Sequence, residues 1–114
     1  MDRADLIALY DRLIAPHDGI ERKGKTMPYT AVNGNMFSFV DPDDRLCLRL
    51  SDEDRQAWAA EWPAEPVMQY GSVMQGYVAV PSALAEDQED LEVWFSKAVQ
   101  SARALKPKPT KRKK

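Results

Sequence analysis

Asn35-Met36-Phe37-Ser38-Phe39-Val40, Asp41-Pro42-Asp43-Asp44 and Arg45-Leu46-Cys47-Leu48-Arg49-Leu50 form one continuous stretch that reads as strand, turn and strand. Proline followed by two aspartates is turn chemistry, because proline presets φ and Asp side chains bond their own backbone. The second run alternates, with Leu46, Leu48 and Leu50 on one face and Arg45, Cys47 and Arg49 on the other. That predicts a sheet with one buried and one wetter face. Just upstream, Met27 to Val32 runs into Asn33-Gly34. Asn-Gly between β-forming runs signals a hairpin, since a type I′ turn needs positive φ at both central residues. The central block therefore reads as three antiparallel strands.

Helical periodicity takes over on both sides. Leu6, Leu9, Tyr10, Leu13 and Ile14 make one stripe of a 3.6-residue repeat and predict a helix over Arg3–Ile14, capped by Asp2 and ended by Pro16 and Gly19. Glu21 to Lys25 reads as a loop or frayed edge. After the strands, Ser51 caps a second helix whose acidic first turn, Asp52-Glu53-Asp54, suits the positive helix end. Ala57, Trp58, Glu61 and Trp62 continue it as far as Pro63. Two further strands are predicted, Val67 to Tyr70 and Gly76 to Val80, joined through Gly71-Ser72. A last helix starts at Asp87 or Gln88, carries Leu91, Trp94, Phe95, Ala98, Val99, Ala102 and Leu105 at helical spacing, and ends at Lys106-Pro107. The fold class is α+β in α-β3-α-β2-α order: two layers, with an antiparallel sheet covered on one face by helices.

The 114 residues suffice for one domain, and 44% hydrophobic with 30% charged residues is ordinary globular composition. We expect a domain over 1–105 and a disordered basic tail over 106–114. The net charge of −2 hides this division. Lys106, Lys108, Lys111, Arg112, Lys113 and Lys114 lie in the tail with no acid, leaving 10 cations against 18 acids, or −8, on residues 1–105. Such a body repels polyphosphates, whereas the tail attracts them. No apolar run approaches the roughly 20 residues that span a bilayer. The acidic N-terminus lacks a signal-peptide pattern, and the lone Cys47 has no internal disulfide partner. A cytoplasmic protein without membrane contact is expected.

Several of these segments resemble the N-terminal domain of TfoX/Sxy-type regulators. They are Thr26-Met27-Pro28-Tyr29, Asn33-Gly34-Asn35-Met36-Phe37, Leu46-Cys47-Leu48-Arg49-Leu50, Tyr70 to Pro81, Leu91-Glu92-Val93-Trp94 and Ala104-Leu105-Lys106-Pro107. The resemblance covers roughly residues 20–107 and implies a two-layer fold of the kind also seen in secretion chaperones. It departs at Met27-Pro28-Tyr29-Thr30, where the family usually carries Met-Phe-Gly-Gly. The longer regulators add a C-terminal helical domain; here a stand-alone module is expected, so their competence-type transcriptional role carries over only as that of the module.

Reactive constellations are sparse. His17, the single histidine, sits in an Ala-Pro-His-Asp-Gly turn and reads as a solvated loop residue rather than a base or, with Asp18 and Glu21, a metal ligand. Arg45 and Arg49 flank Cys47 on its face and would favour a thiolate, but a small, semi-buried filler is the preferred reading. Asp41, Asp43 and Asp44 lack the glycine and terminal Glu of an EF-hand loop, and Asp52, Glu53 and Asp54 fit a helix start. Trp58, Trp62, Trp94 and Phe95 fall at helical spacing and are expected in the core. Neither catalytic nor metal residues nor a cofactor follow from the sequence. The expected activity is that of a non-enzymatic regulatory or adaptor module working by protein contact, as a homodimer. Two alternatives stand beside it: weak nucleic-acid binding through the tail cations, and a small-molecule or partner site using Lys25, Thr26, Tyr29, Tyr70 and Tyr77.

Overall fold

The structure, a computed structural model, describes residues 2–24, 27–62, 67–69 and 71–105. Helix α1 spans Arg3–Ile14, with the Asp2 carboxylate accepting from the backbone N–H of Asp5 at 2.8 Å. Strands β1 (Tyr29–Val32), β2 (Asn35–Val40) and β3 (Leu46–Arg49) follow. Asn33 and Gly34 have φ of 53° and 80°, as a type I′ turn requires. Helix α2 (Asp52–Glu61) opens with Ser51 Oγ accepting from the Asp54 N–H at 3.1 Å. It ends at Trp62, whose ψ of 156° is the extended conformation expected before a proline.

Beyond α2 the chain departs from expectation. Strands β4 (Met68–Gln69) and β5 (Ser72–Val73) pair only with each other, as a separate two-stranded ladder. Strand β6 (Tyr77–Ala79) crosses back to pair with β3, giving an antiparallel sheet of order β1-β2-β3-β6. Of the expected Val67–Tyr70 strand, Met68–Gln69 thus belongs to a side hairpin and not to the main sheet, and Tyr70 lies outside the described residues. A four-residue helix, α3 (Ser82–Ala85), follows Pro81 and buries Leu84; it is too short to leave a periodic signature. Helix α4 (Gln88–Ala104) is capped by Asp87, and Leu105 leaves it in an extended conformation. The α+β class and element order hold, with one more short helix and one more short strand than expected.

The main core fills the space between sheet and helices. Phe95 of α4 sits at its centre, its ring 6.3 Å from Tyr10 of α1 and 5.9 Å from Phe37 of β2. Trp58, the one buried residue of α2, packs edge-on against Trp94 at 5.1 Å. Trp58, Trp94 and Phe95 are buried and Trp62 packs half-buried at the edge, as the spacing implied. Beneath α1 the hydroxyls of Tyr10, Thr30 and Ser38 bond to one another, with Tyr10 Oη 2.6 Å from Ser38 Oγ. All three residues are buried, so each hydroxyl finds its partner within the cluster.

The turn before β3 is tied to α1. The buried Asp41 carboxylate accepts from the backbone N–H groups of Asp43 and Arg45 and from Nε of Arg45. Arg3 then donates to the Asp41 carbonyl and the Asp44 carboxylate.

Candidate functional site

The second face of the sheet is not wet. Phe39, Cys47, Val67 and Tyr77 form a second buried cluster there, ringed by half-buried Met27, Tyr29, Met36, Met74 and Ala79. The expectation of one wetter face is corrected by two features. The first is a β-bulge. Thr30 pairs with Ser38 and Ala31 with Met36, so Phe37 is the extra residue in β2. The bulge breaks the two-residue alternation and turns Phe37 toward the helices and Phe39 away from them. The second is Val67, which closes over this face from the side hairpin; its carbonyl accepts from the Met74 N–H at 2.7 Å. Arg45 and Arg49 at the strand ends had suggested solvent, yet Cys47 lies between them with Phe39 as its cross-strand partner, and Tyr77 pairs with Arg49.

Tyr77 anchors the cluster. Its ring lies 5.2 Å from Phe39, and its hydroxyl donates to the Met36 carbonyl at 2.8 Å. Burial pushes its pKa up to about 12, with Arg49 opposing the rise. Burial does the same to Cys47, whose thiol is raised to about 12 and donates weakly to the Arg45 carbonyl. Arg45 is held by Asp41. A reactive thiolate is therefore disfavoured at Cys47, in line with the filler reading.

Tyr29 pairs with Lys23 in an isolated bridge at the outer edge of β1, so the Glu21–Lys25 region includes an edge contact. Gly24, at φ 89°, makes the reversal possible, because a Cβ there would collide with the Met27 carbonyl oxygen. Of the expected site residues, Tyr29 and Tyr77 both pack in this second cluster. Lys25, Thr26 and Tyr70 lie outside the described residues, as do the tail cations Lys106, Lys108, Lys111, Arg112, Lys113 and Lys114.

His17 contacts the other core instead, its ring 5.5 Å from Phe95. Burial lowers its pKa, and the neighbouring Arg103 adds to this. Asp52 pairs with Arg55, and Asp54 lies 3.9 Å from Lys97. Among the described residues no group of three or more His, Cys, Asp or Glu is arranged to hold a metal ion. Nor is any helix among them long and apolar enough to cross a membrane.

The methionines are what the sequence reading missed. Met27, Met36 and Met74 rim the second cluster, and Met68 and Val73 project from the side hairpin at 48% and 49% exposure. Met68 and Val73 are cross-strand partners and so share one face of the ladder. The available signal was charge: no charged residue occurs between Glu65 and Glu86 in a chain that is 30% charged. A soft, uncharged, partly exposed surface of this kind adapts its shape to what covers it.

No curated protein matches this chain. The model of the TfoX N-terminal domain matches residues 20–102, which takes in the whole sheet, the side hairpin and most of α4, and the chain belongs to that family.

Proposed function

We propose that this chain is a non-enzymatic, cytoplasmic regulatory module that acts by protein contact through its side hairpin and methionine rim, with a second copy of itself as the occupant. The observation that carries the reading is the paired exposure of Met68 and Val73 on a ladder of only two residues per strand. So short a ladder is marginal alone and gains from being covered. The absence of charge between Glu65 and Glu86 supports self-association, because an isologous interface sets every group against its own copy and repels where charges repeat. Family membership supports a regulatory role of the competence-type transcriptional kind.

The test is size-exclusion chromatography with light scattering across a concentration range. The unaltered chain is expected to dimerise, and Met68→Asp with Val73→Asp to shift it to monomer while circular dichroism stays unchanged. A concentration-independent monomer of the unaltered chain would refute the reading.

A further inference from the structure

A different part of the surface carries an unbalanced positive charge. Arg49 at the end of β3, Arg55 of α2 and Gly76 just before β6 meet around a groove of about 420 Å³, whose wall also includes Ser51, Gln75, Ser101 and one carboxylate, that of Asp52. Gly76 has φ 87°, and from the point where a Cβ would stand, Nη1 of Arg55 is 3.2 Å away and Nε of Arg49 is 3.7 Å away. Two guanidinium groups therefore lie within about 7 Å of each other over a residue with no side chain.

Their surroundings do not neutralise both. Arg55 donates to the Leu50 carbonyl at 2.8 Å and pairs with Asp52. Arg49 has no carboxylate within salt-bridge reach among the described residues. Its electrostatic neighbour is the Tyr77 hydroxyl, which is neutral at physiological pH. The groove thus keeps a net cation on a body whose residues 1–105 sum to −8. Like charges held this close repel, and an anion between them relieves the repulsion. Guanidinium groups present forked N–H donors that match the oxygens of phosphate and carboxylate.

We propose that this groove is a binding site for a small oxyanion, a phosphate or carboxylate group, clasped between Arg49 and Arg55. Ser51 accepts the Asp54 N–H, and its own O–H, a donor, has no acceptor among the described residues. Ser101 and Gln75 supply further donors along the wall. The bare Gly76 backbone lets both guanidinium groups come close to it, where a side chain would crowd Nη1 of Arg55. This site is independent of the self-association reading, and neither stands or falls with the other.

The experiment is an NMR titration of the full-length ¹⁵N-labelled chain with inorganic phosphate and, separately, succinate, against sodium chloride at matched ionic strength. Saturable shifts at the Gly76 amide and the Arg49 and Arg55 Nε–H resonances are expected with at least one oxyanion and not with chloride. The arm that saturates distinguishes a phosphoryl from a carboxylate ligand. Arg49→Gln, which breaks no salt bridge among the described residues, is expected to weaken binding at least tenfold while leaving the remaining spectrum in place, and Arg49→Lys to restore part of it. Because the tail cations are unchanged in these variants, binding by the tail would survive Arg49→Gln. Equal shifts with chloride, or an unchanged dissociation constant in Arg49→Gln, would overturn the proposal.

Discussion

Phe37 and Phe39 stand two positions apart in one strand, yet their side chains lie in the two separate buried clusters on opposite faces of the sheet. The bulge that separates them brings Ser38 over Thr30 and under the Tyr10 hydroxyl. A single irregularity in the ladder thus lets both faces of the sheet carry a core.

Ser38→Ala should test how far the hydroxyl cluster holds this bulge. Removing Ser38 Oγ leaves the buried hydroxyls of Tyr10 and Thr30 short of a partner, which costs about 1–3 kcal/mol. Urea denaturation would measure it. The double variant Ser38→Ala with Tyr10→Phe should cost less than the sum of the two single variants, because both partners are then gone.

Gly24→Ala should destabilise the β1 edge. The substitution forces a left-handed conformation on alanine and sets its Cβ against the Met27 carbonyl oxygen. A loss of about 1–3 kcal/mol is expected, with faster amide exchange at Tyr29, whose N–H bonds the Lys23 carbonyl at 2.9 Å.

The second cluster should make stability fall in alkali. The thiol of Cys47 and the phenol of Tyr77 are each raised to about 12 by burial, from ordinary values of 9.0 and 10.0. Folded groups with raised pKa hold their protons longer than the unfolded chain does. Their contribution is therefore complete below about pH 9 and is lost as pH climbs toward 12. Denaturation midpoints measured from pH 7 to 11 should decline over the upper part of that range, less steeply in Tyr77→Phe. Native Cys47 should also resist a thiol reagent at pH 8 and react once the chain is unfolded.

The tail should account for any DNA binding. Lys106, Lys108, Lys111, Arg112, Lys113 and Lys114 carry six cations, and the remaining body is acidic. Fluorescence anisotropy at low salt should give weak affinity, roughly 10⁻⁴ to 10⁻⁶ M, that falls steeply with added salt. A chain ending at Leu105 should show none. Equal binding by both chains would dismiss the tail.

Much of this architecture was legible because local physics specifies it. The α1 stripe from Leu6 to Ile14, the Asn33-Gly34 turn, the Ser51 and Asp87 caps and the Leu46-Leu48-Leu50 alternation each depend on neighbours a few residues away, and each element forms where its pattern said. Family membership was readable for the same reason, since those segments recur in order along the chain. Other features depend on contacts between residues far apart, and one-dimensional periodicity does not record these. The Phe37 bulge goes with the bond between Ser38 and Tyr10, 28 positions apart in the chain. Val67 closes the supposedly wet face only because β4 pairs with β5 and leaves the main sheet to β6. Arg49 and Arg55 look like unrelated surface charges until the fold sets both against Gly76. Helix and turn formation are decided within a few residues by backbone sterics and capping. Which face is dry, and where charges converge, is decided by packing across the whole chain.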